Sequence, residues 1–488
     1  MPADPAAAPA WRMFTPEDQE AFAALSGDRN PIHIDPVAAR RSQAGDVVVH
    51  GVHAVLWALD HLARHRPEIP IGEINSIRAQ FQHFLYLNQP VSIDILRHDP
   101  ARIKIALRSQ ARPCIILTLG LGPKGAIGGE GAFFPGKGAE AACLSEPRAP
   151  EFDHLPGMSG CVLPPEAAEA TAARLFPGLC AKIPAEDVVL VALLSTVVGM
   201  WVPGLHSLFA AFDIRWQDTG TPVSGLAFEV READPRFRLA ESAVQCRRFS
   251  GRISAFMRMP PVEQPSLAQV LPQVRPGEFS NRRALVIGGS RGIGATIARA
   301  ICAGGGSARI TYATGLAQAE AVAADINDTL CRSACSISRW DVEDEGWPLA
   351  DAEAGVFTHL YYCATGRIFG PAGEGFDRRR FDAFLSIYVE GLNRVVTGLL
   401  ARRGAGQTLS LLYPSSVAVV ERPKGMTEYA MAKAAGEILC ADLARNHPGL
   451  TVRCPRLPRT LTDQTATVPP VESADALLVC LPLLRAEV

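Results

Sequence analysis

The sequence predicts two architectures in one chain. The first is an α+β region in which antiparallel strands enclose a long apolar helix, built twice. The second is an α/β doubly wound parallel sheet. Three observations carry this. Apolar stretches near 49–56 and 188–212 are each followed by strand-like segments, "VSIDILRHD" and "RIKIALRSQ" among them. The stretch "RRALVIGGSRGIGATIARAICAGG" reads as strand, glycine-rich turn and helix. Beyond it the strand-like runs "ARITYAT", "HLYYCAT", "TLSLLYP" and "TVRCPRL" alternate with helical ones, as crossover helices on a parallel sheet require.

Composition narrows the classes. At about 150 residues per domain, 488 residues suggest roughly three domains. A net charge of −2 gives no electrostatic reason to expect nucleic acid. The 12 cysteines form no C-x-x-C pair, so neither a metal nor a disulfide framework is expected, and a cytoplasmic location is. The opening "MPADPAAAPAWRMF" lacks a basic region followed by an apolar run and does not read as a secretory signal. Val188 to Phe212 carries no Asp, Glu, Lys or Arg and is long enough to span a bilayer. Pro203-Gly204 interrupts it and no basic flank orients it, so a buried helix is expected and no membrane.

Two loose regions divide the chain. Residues 122–165 are rich in Gly, Pro and Ala, and 259–280 in Pro. They leave blocks 11–121, 166–258 and 282–488. The first two read as weak repeats: Val49-His50-Gly51-Val52-His53 aligns with Val202-Pro203-Gly204-Leu205-His206, and Pro90-Val91-Ser92 with Pro222-Val223-Ser224.

Block one opens with "LSGDRNPIHID". Gly27 permits a tight turn and Pro31 restricts it, so Asp28 and His33 can converge. A carboxylate and an imidazole that share a water can divide proton removal and delivery, the chemistry of adding or removing water across an activated double bond. The longer stretch "FAALSGDRNPIHIDPVAA", with Phe22, Leu25, Ser26, Gly27, Asp28, Asn30, Pro31, His33 and Ala39, resembles the signature of the (R)-specific enoyl-CoA hydratases, the MaoC-like hot-dog family. The resemblance implies a double hot-dog in blocks one and two, with Asp28 and His33 catalytic. It implies that Asn30 is structural or positions that pair. It also implies that Gly51 opens the central helix, where its backbone N–H would polarise a thioester carbonyl. Block two lacks the motif and is expected to shape the acyl tunnel. His53, His83 and His206 are read as packing histidines.

In block three, Gly288-Gly289-Ser290-Arg291-Gly292-Ile293-Gly294 follows a strand and opens a helix, where glycines let the backbone approach a pyrophosphate. Downstream, Tyr429 and Lys433 are four apart and share a helix face, and Ser416 precedes Tyr429 by thirteen. Together these resemble the short-chain dehydrogenase/reductase family, which has a Rossmann-type sheet. The resemblance implies Tyr429 as proton donor, Lys433 lowering its pKa and binding ribose, and Ser416 orienting a carbonyl. It also implies cofactor contacts at Gly288, Ser290, Arg291, Gly292, Ile293, Gly294 and, at the adenine, Asp341. No acid follows "ARITYATG", and Arg291 offers charge for a 2′-phosphate, so NADP(H) is expected over NAD(H). Three features depart from the family: Tyr388 stands where an Asn is usual, Cys363-Ala364-Thr365-Gly366 replaces N-N-A-G, and the last strand is not found. The third leaves the usual oligomer interface in question, although a homo-oligomer is expected.

Together the sites imply reduction of a 3-ketoacyl thioester followed by dehydration of the (R)-3-hydroxyacyl thioester, in fatty-acid or polyketide-type biosynthesis. The acyl group would ride on acyl carrier protein or CoA. Three alternatives stand beside this: a hydratase with a 3-hydroxyacyl-CoA dehydrogenase in β-oxidation, a dehydratase with an inactive reductase fold, and a non-catalytic scaffold that binds acyl carriers.

Overall fold

The computed structural model describes residues 11–110, 112–124, 140–217, 225–350, 354–368, 375–404, 406–467 and 471–486. The chain forms two compact units, one up to Pro260 and one from Pro261.

The first unit is built on one eleven-stranded sheet. Its strands are β1 (Trp11–Met13), β2 (Ile74–Phe81), β3 (Pro90–Asp99), β4 (Arg102–Ser109), β5 (Arg112–Leu121), β6 (Ala141–Ala142), β7 (Ser159–Val162), β8 (Ser207–Trp216), β9 (Leu226–Asp234), β10 (Leu239–Gln245) and β11 (Phe249–Met257). Their order across the sheet is β1-β3-β4-β5-β2-β8-β11-β10-β9-β7-β6. The first and last halves mirror each other about the antiparallel β2–β8 pair, where Ile77 faces Ile214. Each half contributes one apolar helix, Gly51–His65 and Ala185–Thr196, and both lie in the unit's main core. That core explains Val188 to Phe212: the stretch is apolar on every side because Val188 through Trp201 is buried on every side. Two buried carboxylates on these helices anchor the chain around them, Asp60 across the two halves and Asp187 within its own half. Asp60 Oδ1 accepts from the Leu179 N–H at 3.0 Å, and Asp187 accepts from Arg248 and Trp216.

The second unit carries a parallel six-stranded sheet. Its strands are β12 (Arg283–Ile287), β13 (Ser307–Tyr312), β14 (Cys335–Arg339), β15 (His359–Tyr362), β16 (Leu409–Leu412) and β18 (Leu450–Arg453), in the order β14-β13-β12-β15-β16-β18. Between the last two, β17 (Ser415–Ser416) leads to a separate pairing with β19 (Arg456–Leu457). Apolar clusters cover both faces of the main sheet, as a parallel sheet demands. The order reverses between β12 and β15, the switch point where such sheets bind ligands.

Three sequence expectations change. The residue-level repeat fails: Gly51 starts a helix, whereas Gly204 follows the helix of its half and leads into β8. The repeat is one of topology, and the apolar character common to both stretches produced the alignment. Pro222-Val223-Ser224 lies outside the described residues. The loose stretch 122–165 is not all linker, because Ser159–Val162 pairs antiparallel with β9. Strand β14, "CSISR", went unread because its composition is polar. Among the described residues, one helix, Arg378–Ala401, is long and apolar enough to cross a membrane. Its Val395, Val396 and Leu399 are buried in the second unit's core.

Candidate active sites

In the first unit the turn forms for local reasons. The helix Pro16–Ser26 begins with a capping box between Thr15 and Asp18 and ends at Gly27, whose φ of 80° is the left-handed conformation that glycine adopts without strain. Asn30 caps a short helix, Pro31–Ile34, through its side chain and the Ile32 N–H, and Pro31 takes the first helical position. This reverses the chain so that Asp28 and His33 face each other. Their donor atoms, with those of His50, lie within 4.8 Å of one another.

Each group is held from several sides. Asp28 is 1% exposed. Its Oδ2 accepts from the Ser195 hydroxyl at 2.6 Å and its Oδ1 from the Asn30 N–H at 3.1 Å. Burial raises its pKa, while His33, Ser195 and the Asn30 N–H oppose that rise. His33 Nδ1 lies 2.8 Å from the Val48 carbonyl, which can only accept, so Nδ1 carries the proton and Nε2 is bare. Burial lowers the His33 pKa, opposed by Asp28 and Val48. The Asn30 side-chain amide donates to the Gly199 and Gly204 carbonyls at 2.8 and 3.1 Å, while its backbone N–H reaches Asp28. Gly51 opens the Gly51–His65 helix, so its N–H has no partner within the helix. A Cβ there would lie 2.5 Å from the Phe81 ring.

Sequence reasoning missed Ser195, Gly199 and the role of His50. Ser195 and Gly199 come from the second half, and a Cβ on Gly199 would lie well inside 3.0 Å of the Asp28 carboxylate. The one sequence trace of Ser195 is a hydroxyl pair, Ser195-Thr196, in an otherwise apolar run. Asp28, His33 and His50 are also donor types that hold a divalent cation. His53 keeps its packing role, stacked on Phe22 at 4.9 Å with both ring nitrogens buried and unpartnered.

In the second unit the turn after β12 is tightly made. Gly288 has φ 76°, and its N–H donates to Thr311 Oγ1 at 3.1 Å. A Cβ on Gly294 would collide with the Gly288 carbonyl, so the helix Gly292–Ala303 can start against the turn only with glycine there. A Cβ on Gly292 would meet only the side chain of Thr462, which leaves room at the helix N-terminus. Ser290 lies beside Gly315, and Ile293 packs on the unit's core. Arg291 flanks the same turn and lies 3.7 Å from Asp463. Asp341, beyond β14, accepts from the Glu343 N–H at 3.1 Å.

Tyr429 and Lys433 lie one turn apart on the helix Thr427–Asn446, and the Ser416 hydroxyl stands close enough to the Tyr429 phenol to pull its pKa down. These three are brought together as expected. The electrostatics differ from the expectation. Burial pushes the Tyr429 phenol up, and only Ser416 opposes it. Lys433 Nζ instead donates to the Pro414 carbonyl at 2.8 Å and lies over the rings of Tyr388 and Tyr413, at 4.0 and 4.7 Å. Burial lowers its pKa to about 8. Tyr388 sits in a π-helical turn, Ser386–Gly391, with its hydroxyl on Thr365. The Cys363 thiol is pushed up to about 12 by burial.

The model of the MaoC like domain matches residues 1–111, and that of the short chain dehydrogenase matches residues 282–472. No curated protein matches significantly. Among solved structures, a short chain dehydrogenase from Burkholderia cenocepacia J2315 in complex with NADP is 25% identical. The match covers 42% of this chain and 90% of that one, with a TM-score of 0.36. FolM alternative dihydrofolate reductase 1 from Brucella suis in complex with NADP is 20% identical over 38% of this chain and 74% of that one, with a TM-score of 0.34. The landomycin C-6 ketoreductase LanV with bound NADP and rabelomycin is 22% identical over 43% and 90%, with a TM-score of 0.37. The two family matches fall on the two sites, and the chain is a fusion of a MaoC-like domain with a short-chain dehydrogenase domain, a dehydratase/hydratase joined to an oxidoreductase.

Proposed function

We propose that this enzyme reduces a 3-ketoacyl thioester at Ser416, Tyr429 and Lys433, and dehydrates the resulting (R)-3-hydroxyacyl thioester at Asp28 and His33. The observation that carries the reading is the meeting of a buried carboxyl and an imidazole with a bare Nε2, beside the N-terminus of the Gly51–His65 helix. In dehydration the proton leaves C2 for one of the two groups, and hydroxide leaves C3 and is protonated to water. A Gly51 N–H aimed at the thioester oxygen would stabilise the enolate charge between these events. The mirrored half-sheets, each with one helix, support a double hot-dog made of blocks 11–121 and 166–258. Block 282–488 is the reductase domain.

The glycine turn fits a dinucleotide, because the space beside Gly292 and the free helix N-terminus suit a pyrophosphate. The acid-free end of β13 and the place of Arg291 support NADP(H). When bound, that cofactor supplies hydride to C3. Tyr429 would deliver the proton to the carbonyl oxygen, and Ser416 would hold that oxygen in place. The reductive cofactor favours a biosynthetic, carrier-bound substrate, with a homo-oligomeric enzyme in the cytoplasm.

The test is incubation of the pure protein with a short 3-ketoacyl thioester and NADPH, following absorbance and product mass. The native enzyme should yield the enoyl product. Asp28→Asn should stop at the 3-hydroxy product. Tyr429→Phe should consume no NADPH yet still dehydrate added (3R)-hydroxyacyl thioester. Clear preference for CoA over matched carrier-protein thioesters would overturn the biosynthetic assignment. One observation favours a second reading, a dehydratase with a silent reductase fold: Lys433 faces two aromatic rings where the family has an Asn relay. Native protein that dehydrates without ever consuming NADPH would establish it.

A further inference from the structure

His50 is fully buried and both its ring nitrogens face acceptors. Nδ1 lies 2.9 Å from Gln19 Oε1. The backbone N–H of His50 donates to the same oxygen at 3.0 Å, which fixes the amide with its oxygen toward the ring. Flipping the amide would set its NH2 against that N–H. Nε2 lies 3.1 Å from the Asp28 carbonyl oxygen and 3.9 Å from the Asp28 carboxylate. A neutral imidazole has one donor and one lone pair, so either tautomer leaves a lone pair facing an oxygen. Only the doubly protonated ring satisfies both sides.

Asp28 has the complementary difficulty. It is buried and, among the described residues, no Lys or Arg is paired with it; His33 and His50 are the neighbours that could carry a positive charge. His33 cannot serve while its Nε2 stays bare as a proton acceptor. We infer that His50 is a positioning residue that carries a second proton and holds Asp28 ionised. Asp28 and His33 can then both accept hydrogen bonds from one water, and one of them takes the proton that the water gives up as its O–H adds to C3. This rests on the proposed role of Asp28 and His33 and extends it to a third group.

The surroundings set the cost of that charge. Gln19 and Phe22 face His50 from the Pro16–Ser26 helix, His33 stacks on it at 3.9 Å, and His53 lies on its own helix. Burial and both neighbouring imidazoles disfavour the charged form, as does the position of His50 as N-cap. Two acceptors and one carboxylate oppose them. Protons in such a set belong to the group as a whole, so removing one member must move the others.

The test is long-range 1H–15N correlation on the full chain labelled at its histidines, at pH 7 without substrate, with His50 assigned from the His50→Gln spectrum. Two protonated nitrogens on His50 are expected, and one in Asp28→Asn. One bare nitrogen in the native protein would overturn the inference, as would a doubly protonated ring unchanged in Asp28→Asn. So would stoichiometric zinc in the purified protein, since a metal bound by these three donors would replace the proton. The kinetic counterpart is the pH profile of enoyl-thioester hydration. His50→Gln should move its acidic limb up by about one unit, a tenfold loss on that limb. An unmoved limb in folded His50→Gln would also overturn the inference. The spectrum needs no turnover, so an inactive protein with doubly protonated His50 would refute the proposed reaction alone.

Discussion

At the scale of single residues, the atoms around Asp28 decide its chemistry, because no solvent compensates its charge. Ser195 donates to Oδ2 and holds the carboxyl pKa below where burial alone would place it. Ser195→Ala removes that donor, so the pKa rises and the carboxylate is lost at a higher pH. A hydrogen bond to a charged group is worth about 1.5–3 kcal/mol. The acidic limb of the hydration profile should therefore move up by about one to two pH units. A limb that moves down, or stays, would refute the role of Ser195. Gly199→Ala acts by volume: its Cβ would fall inside the carboxylate's contact distance. The carboxylate must turn away from His33, so hydration should fall at least about tenfold, with about 1–3 kcal/mol lost in denaturant unfolding. An unimpaired rate would show that the carboxylate's orientation is not what the site depends on.

At the scale of elements, what the sequence reveals depends on how far apart the partners lie. Gly27, Asn30 and Pro31 form the Asp28–His33 turn from local rules, so the pair is readable within one stretch of sequence. Ser195 and Gly199 come from a helix some 170 residues away, and nothing local in an apolar run marks which positions face a carboxylate. The helix Thr427–Asn446 shows the same limit. Its i, i+4 spacing announces Tyr429 and Lys433, but the rings of Tyr388 and Tyr413 that receive the ammonium come from other elements. Burial sets a titration near neutrality, against the opposing pull of Cys363 and its neighbours. Lys433 is lowered to about 8, so it is charged below that pH and neutral above it. If its charge binds ribose, affinity for NADPH should fall as pH rises through about 8, without any change at Tyr429. The measurement is the NADPH dissociation constant between pH 7 and 9.5. A constant value over that range would remove Lys433 from cofactor binding, and binding that strengthens would reverse the sign of its charge effect.

At the scale of the whole molecule, the buried histidines link stability to pH. Each unit has its own core, and each contains a half-buried histidine whose pKa is lowered to about 4: His206 in the first and His359 in the second. Burial is the first cause in both, followed by neighbouring guanidinium groups, Arg258 and Arg238 for His206 and Arg282 for His359. His53, fully buried between aromatic rings, is lowered too, by burial first and then by Arg12. The unfolded chain binds these protons at about pH 6.5, and the folded chain does not bind them until near pH 4. Unfolding therefore takes up protons between those values, and stability falls as pH falls through that window. Partial exposure of His206 and His359 reduces the effect at each. A fall in Tm of a few degrees between pH 7 and pH 5 is expected by calorimetry in buffers of equal ionic strength. His206→Gln should reduce the pH dependence, because the glutamine does not titrate, and a steeper dependence in that variant would contradict the assignment. A Tm that rises on acidification would mean that these histidines gain partners when protonated, which the guanidinium groups beside His206 and His359 do not offer.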